Sequence, residues 1–411
     1  MKIAFLVGEF PSLSETFILN QLIDLIDRGH DVFIFSDRPK NTDKSHLDVS
    51  KYRLLERTFY YPELPANYLL RLFKWLWLLS SLSLKDPILV IRSLDLLRFK
   101  KWVFSLRGLY LIAPFLGRRH EYDVIHCHFG NVGLKGLFLK DVGAIQGRLI
   151  TSFHGYDVNV LPQQLGKNLY IRLFQNGELF TGGSAFIINK LIELGCPEEK
   201  IIKLPVGVNC SDYCFKQRNL EANEPIKIVT VARLTEKKGL EYSIKAVAAV
   251  AQNHPNLAYR ILGDGHLRES LQQLIRDLGM EAKIQLLGWK TKDEVRELYN
   301  DSHIFILSSV TAKNGDKEGQ GLVLQEAQAV GLPVLATLHN GFPDSVLDGQ
   351  SAFLVPERDV DALAAQLNFL IEHPEKWARM GGAGRKLVEA CFDIKKLGDQ
   401  LVDVYQKLLK E

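Results

Sequence analysis

From its first residues the chain runs strand, loop, helix, strand. The order is Lys2-Ile3-Ala4-Phe5-Leu6-Val7, the loop Gly8–Glu15, an apolar-periodic stretch to Leu25 or Ile26, then Val32-Phe33-Ile34-Phe35. Apolar runs separated by a helical pattern suit a parallel sheet covered on both faces, because parallel neighbours need a crossover and the helix supplies it. The alternation starts afresh after residue 225. There it gives strand Ile226–Val231, helix Leu240–Gln252, strand Leu257–Leu262, helix Leu267–Leu278, strand Lys283–Leu287, helix Lys292–Asn300 and strand Ile304–Leu307, and later strands Pro333–Ala336 and Ala352–Val355. At 411 residues the chain exceeds what one core sustains. The expectation is α/β: two doubly wound, Rossmann-like parallel-sheet domains facing across a cleft, with polar Ser211–Pro225 as the linker between them.

The chemistry concentrates in Lys317–Gly331. Leu322 to Ala327 holds good helix formers, Gly331 offers a stop, and Gly319 and Gly321 make the entrance a tight turn. A glycine turn feeding a helix presents unpaired amides and the positive end of the helix dipole, which suits a phosphate. Glu318 and Glu326 bracket that site. Along an ideal helix their spacing would be ~12 Å, roughly the reach of a diphosphate with a sugar on each side. The plain alternative is a capped surface helix with two solvated glutamates. Arg233 and Lys238 lie past the end of strand Ile226–Val231, where they would face the same cleft. A guanidinium and an ammonium aimed at a helix N-terminus make a diphosphate site without a metal. Asp359-Val360-Asp361 has the spacing of an acid pair, but it precedes a helical run and reads as a cap.

In the first half no G-x-G-x-x-G or Walker lysine motif follows the opening strand, so phosphate is expected elsewhere. Ligands of such sheets sit at the carboxyl ends of the strands, which makes Gly8–Glu15 cleft-lining. Strand Asp123–His128 places His126 and His128 on one face; no third ligand follows at close spacing, so a metal is not expected. His154, just past strand Arg148–Phe153 and before Gly155, stands where backbone can approach a ligand, with a satisfied core histidine as the alternative. Gly8, Glu15, His128 and Asp157 are the candidates for the first domain's wall of the cleft.

Composition excludes some classes. With 46% hydrophobic and 24% charged residues the chain is an ordinary globular sequence, and a net charge of +3 gives no reason to expect nucleic acid. Five scattered cysteines read as core thiols in a reducing compartment, and a strand at residue 2 leaves no room for a signal peptide, so a cytoplasmic location is expected. Residues 66–119 differ in kind: ten basic residues against two acids, interleaved with Trp75, Trp77, Phe99, Trp102, Phe104 and Tyr110. The longest uncharged runs are ten residues, short of the about 20 a bilayer needs. This mixture suits helices lying in the interface of an anionic membrane, the alternative being apolar stripes packed on the sheet. The closing Leu397–Leu409 is an amphipathic helix whose stripe must be buried, and the first domain is a candidate to receive it.

Together these motifs carry a resemblance. Arg233-x4-Lys238-Gly239, Gly263-Asp264-Gly265, Glu318-x7-Glu326-Ala327, Gly331-Leu332-Pro333-Val334 and Phe392-Asp393 resemble the GT-B glycosyltransferases of family GT4 (group 1). Phe10-Pro11 with Ser14-Glu15-Thr16-Phe17, and Asn314–Gly319, are similar to the bacterial exopolysaccharide and colanic-acid branch. The likeness covers nearly the whole chain and is weakest between Thr42 and Arg119.

The resemblance implies an acceptor-binding domain over 1–206, a nucleotide-sugar-binding domain over 207–392, and a final helix, 393–411, crossing back to the first. It also implies retaining transfer of a sugar from a nucleoside-diphosphate donor, a UDP-sugar above all, to a hydroxyl of a lipid-linked or polysaccharide acceptor, with no cofactor and no essential metal. On the matching positions Glu326 would hold the ribose hydroxyls and Arg233 and Lys238 the diphosphate. The backbone of Gly321 and Leu322 would hold phosphate and sugar, Glu318 with Gly319 the donor sugar, and His154 would reach it from the other domain. The chain departs from the family at Gly8-Glu9-Phe10, where a glycine pair is common, and at Asn209, where aspartate is usual. Two other readings stay open: a sugar-nucleotide 2-epimerase on the same architecture, and a non-catalytic binding subunit of a transferase complex.

Overall fold

The structure, a computed structural model, describes residues 1–12, 15–38, 47–117 and 120–410. Ser14, Thr42 and Arg119, named above, lie outside the described residues.

The first sheet has seven strands: β1 (Lys2–Glu9), β2 (Asp31–Asp37), β3 (Thr58–Tyr60), β4 (Glu121–His128), β5 (Gln146–Phe153), β6 (Leu179–Gly182) and β7 (Ile201–Lys203). The second has six: β8 (Ile226–Val231), β9 (Leu257–Leu262), β10 (Ile284–Gly288), β11 (Ile304–Leu307), β12 (Val334–Thr337) and β13 (Ala352–Val355). The orders are β3-β2-β1-β4-β5-β6-β7 and β10-β9-β8-β11-β12-β13, with every pairing parallel. Each sheet reverses its winding once, between β1 and β4 and between β8 and β11. A crevice opens at the carboxyl ends of strands where the order reverses. The ends of β1, β4, β8 and β11 and the loops after them are therefore the places that can meet a ligand, and they carry Glu15, His128, Arg233, Lys238 and Glu318.

The seven-stranded sheet is covered on two faces. Ile3, Phe5 and Val7 pack under the helix Thr16–Asp27, while Ala4, Leu6 and Cys127 face the helices between residues 68 and 142. Within 66–117 the alternative of apolar stripes packed on the sheet holds for part of the apolar side chains. Leu78, Leu82, Leu89, Phe99 and Ile112 join the core, whereas Phe73, Trp77, Ile91 and Leu97 stand exposed.

Two strands of chain cross between the domains side by side. Val208 N donates to Phe392 O (2.9 Å) and Ile394 N donates to Val208 O (3.0 Å). After that crossing the helix Ile394–Lys410 lays Leu401, Tyr405 and Leu408 into the core of the first sheet beside Ile3, Phe5 and Leu22. Burying such a side chain contributes about 1.5–3 kcal/mol. Arg28 ties the helix down by hydrogen bonds to Asp399 and to the carbonyl of Lys395 (both 2.5 Å).

Polar composition misplaces the linker. Segment 211–225 is packed on the second domain: Arg218 is buried and donates to the carbonyls of Asn300 and Val330 (both 2.7 Å). A guanidinium looks hydrophilic in sequence, but here it serves carbonyls at the ends of the helices Lys292–Asn300 and Leu322–Ala329, where no intrahelical N–H reaches them. The cysteine reading holds for Cys127, Cys196 and Cys210, which are buried, and fails for Cys214 and Cys391, which are exposed; all five are free thiols. Among the described residues no helix is long and apolar enough to cross a membrane.

Candidate active site

The helix Leu322–Ala329 begins as the sequence implies, and its entrance is set by two glycines. Gly321 caps it in the left-handed conformation, φ +79°, where a side chain would also strike the ring of Phe342. Gly319 is required for contact, since a Cβ there would lie 1.9 Å from the carbonyl oxygen of His154 in the opposite domain.

Beneath that turn the Glu318 carboxylate lies 3.0 Å from Lys238 Nζ and 3.4 Å from Lys237 Nζ. Both lysines come from the short turn Glu236–Lys238 after β8, and Lys238 is buried. Burial alone would raise the pKa of Glu318, but the charges of Lys238 and Lys237 outweigh it and hold the carboxyl at about 2. Arg233, in contrast, is exposed, and its charge acts on both Lys238 and Glu15. Lys237 also pairs with Asp316 (3.2 Å), so three cations, Lys237, Lys238 and Arg233, stand against the two carboxylates of Glu318 and Asp316, and the surplus of positive charge suits a ligand that brings phosphate charge.

Glu326 has partners of its own. Tyr299 OH donates to it (3.1 Å) and Tyr213 hydrogen-bonds it as well, while burial raises its pKa against those bonds. A carboxylate already met by two phenols can exchange them for the hydroxyls of a ligand.

Sequence patterns missed the support of the turn. His339 Nε2 accepts the Glu318 N–H (3.1 Å), so its Nδ1 carries the proton and donates to Glu357 (2.5 Å), whose other oxygen accepts Thr311 N–H (2.8 Å). The one signal was a histidine two residues past the end of β12. Gln320 had none: it spans the cleft, accepting from Val206 N (2.9 Å) and donating to Val206 O (2.7 Å). Ser184 Oγ adds a bond to Gly319 O (3.0 Å), Ala185 N one to Asp344 (3.0 Å), and Lys203 pairs with the same Asp344.

On the first domain His154 stands over this turn. Its Nε2 lies 3.0 Å from His128 Nδ1, and burial depresses its pKa to about 3, so the ring is neutral. Phe17 and Phe129 flank it at 4.6 and 4.8 Å between centroids. The four acceptor-side candidates fare differently. Asp157 is fully buried, and its carboxylate accepts amides from Gly130 (2.9 Å), His154 (3.0 Å) and Gly155 (2.9 Å), so it pins the loops that carry them. His128 is buried behind His154. Gly8 borders open space, where a Cβ would meet no atom within 4 Å. Glu15 lines a small cavity with Glu9 and Ser12, and burial, with Glu9 adding to it and Arg233 opposing, lifts its pKa to about 7. Among the described residues no group of three His, Cys, Asp or Glu side chains is placed to hold a metal.

The comparisons with known proteins agree with one another. Residues 14–212 match the model of Glycosyltransferase Family 4, and residues 214–387 that of Glycosyl transferases group 1. The chain is 33% identical to a putative colanic acid biosynthesis glycosyltransferase, WcaL, of Escherichia coli, over 99% of this chain and 100% of that protein. It is also 33% identical to the amylovoran biosynthesis glycosyltransferase AmsK of Erwinia amylovora, again over 99% and 100%. Among solved structures, Anabaena HepE in complex with UDP and glucose superposes with a TM-score of 0.71 at 18% identity, covering 99% of this chain and all of that one. With two parallel-sheet domains closed on a cationic turn, and relatives matching it from end to end, the chain belongs to the group 1 glycosyltransferases of family 4 and has their GT-B fold.

Proposed function

We propose that this glycosyltransferase moves a hexose-type sugar from a UDP-sugar to a hydroxyl of a lipid-linked or polysaccharide acceptor, with retention of configuration and without a metal. The observation that carries the reading is the cationic cluster of Lys238, Lys237 and Arg233 at the entrance of the helix Leu322–Ala329, closed over by His154. As the anomeric C–O bond breaks, negative charge grows on the diphosphate. These cations and the helix N-terminus stabilise it most when it is fully developed. They also fill the charge-balancing role that a divalent cation fills elsewhere. In front-face attack the acceptor hydroxyl forms its bond to the anomeric carbon on the side the phosphate leaves, and the departing phosphate oxygen takes the hydroxyl proton. Glu318, held by two lysines and its own backbone bonds, grips donor hydroxyls in this scheme and does not attack. Glu326 takes the ribose, with Gly319, Gly321 and Leu322 at the phosphate and sugar.

The printed functions of WcaL and AmsK, colanic acid and amylovoran biosynthesis, support a polysaccharide or lipid-linked acceptor. UDP in the HepE complex supports the nucleotide. The exposed side chains of 68–104 support action at the cytoplasmic surface of a membrane: Phe73, Trp77, Ile91 and Leu97 are 65–98% exposed, and Arg92, Lys100 and Lys101 of the same stretch are exposed as well. Apolar side chains beside cations match an anionic lipid interface.

A thermal-shift panel of UDP-, GDP- and ADP-sugars followed by a transfer assay tests the reading. A donor at 100 times its Kd adds about 2.7 kcal/mol of stability. Stabilisation by UDP-sugars with slow donor hydrolysis is expected; stabilisation by another nucleotide alone overturns the UDP assignment, and a rearranged nucleotide sugar overturns transfer.

A further inference from the structure

His128 is 2% exposed and lies behind His154 on the terminal residue of β4. The two rings are nearly parallel, 11° apart, with centroids 5.2 Å apart and Nδ1 of His128 only 3.0 Å from Nε2 of His154. So short a nitrogen separation within that centroid distance leaves little lateral offset. The rings meet edge to edge, with the hydrogen bond close to both ring planes, where an imidazole lone pair points.

One of the two nitrogens carries the proton, and the rest of His128 decides which. Its other nitrogen, Nε2, is buried and meets no hydrogen-bonding partner among the described residues. If His154 were the donor, a neutral His128 would carry its own proton at Nε2, as a buried unpaired N–H. If His128 is the donor, Nε2 holds a lone pair, and buried unpaired acceptors are tolerated more readily than buried unpaired donors. Protonation of either ring is opposed by burial, which pushes both pKa values down. Nor can His128 turn over easily. It packs against both Phe5 (5.6 Å, 18°) and His126 (4.6 Å, 21°), which also touch each other (5.0 Å), and His126 is locked by Tyr405 OH on Nδ1 (2.6 Å) and Ser152 Oγ on Nε2 (2.7 Å).

We propose that His128 is a positioning residue: it donates Nδ1–H to His154 Nε2 and so fixes His154 as the tautomer whose ligand-binding group is Nδ1–H, a donor aimed at an oxygen of the sugar nucleotide. The proposal rests on the reading of His154 as the residue that meets the donor sugar. It predicts that this contact is a hydrogen bond to an acceptor oxygen, and that a ligand offering only a donor there is rejected.

Ring nitrogen NMR of the full chain with 15N-labelled histidine tests it, the His154 signals being assigned by their loss in His154→Gln. Wild-type His154 is expected to be protonated at Nδ1 and bare at Nε2. His128→Asn, which keeps an amide donor near the position of Nδ1, is expected to preserve that pattern and to hold kcat/KM within about threefold; His128→Leu is expected to release the tautomer and lower kcat/KM by about tenfold. A wild-type His154 protonated at Nε2, or a pattern unmoved in His128→Leu, overturns the proposal. The spectrum needs no turnover, so its outcome stands apart from the transfer reaction. A tautomer released in His128→Leu with full activity would remove His154 from the donor site and leave its coupling to His128 in place.

Discussion

Lys238 Nζ lies 3.0 Å from Glu318 Oε2 although the two residues come from loops after different strands, β8 and β11, on either side of the point where the second sheet reverses its winding. Their pairing gathers the proposed donor site, and removing members of that site gives the first prediction. Lys238→Ala, Arg233→Ala and Glu326→Ala are each expected to lower kcat/KM at least about tenfold, or about 1.4 kcal/mol. Steady-state kinetics with the donor varied check it. Arg233 is exposed and Lys238 buried, so Arg233→Ala should leave stability unchanged while Lys238→Ala lowers it, because Glu318 then keeps Lys237 as its one close cation.

Glu318 also sets a dependence on acid. Its folded pKa, about 2, lies below the ordinary 4.5 because Lys238 and Lys237 overcome the effect of burial. A depressed carboxyl contributes stability that is present above the unfolded value and is lost as pH falls through the folded one. Melting temperatures of wild type are therefore expected to fall more steeply than those of Glu318→Gln between pH 4.5 and about 2.

Glu15 has the opposite sign. Burial and the neighbouring Glu9 raise it to about 7, against Arg233. A raised carboxyl contributes stability below the unfolded value, and that stability is lost as pH rises through the folded one. Glu15→Gln should thus gain on wild type in Tm as pH rises from 4.5 through about 7. Parallel melting curves over that range would count against the raised pKa.

Gly319→Ala tests whether contact across the cleft is needed. Its Cβ would sit 1.9 Å from His154 O, a backbone atom that cannot step aside alone, so the domains must part. Loss of about a hundredfold in kcat/KM is expected, in line with the cost of displacing a site by an ångström. Denaturation of the second domain, whose core lies elsewhere, should change little.

For the surface of 68–104, Phe73→Ser, Trp77→Ser and Leu97→Ser combined are expected to abolish sedimentation with anionic vesicles while leaving the fold intact, because all three side chains are exposed. Wild-type binding by the triple variant, or failure of wild type to bind at low salt, would remove the membrane from the proposal.

The sequence by itself determined the two parallel-sheet domains, since continuous apolar runs alternating with helical patterns leave few other ways to bury both faces of a sheet. It also marked the turn proposed to hold the donor, where glycine, carboxylate and cation stand at Glu318, Gly321, Arg233 and Lys238. The tertiary structure decided what those residues touch. Lys237 binds Glu318 as Lys238 does, His339 and Glu357 hold its amide, and Gln320 closes the cleft on Val206. Asp157, a ligand candidate by position, is consumed by three amides, and Arg218, polar in a supposed linker, is buried. Apart from the His154 and Gly155 amides beside Asp157, these pairings join residues 18 to 114 apart in sequence, as between His339 and Glu357 and between Gln320 and Val206. Local propensity carries no record of such pairings, because they exist only once the sheets have brought their strand ends to a common edge.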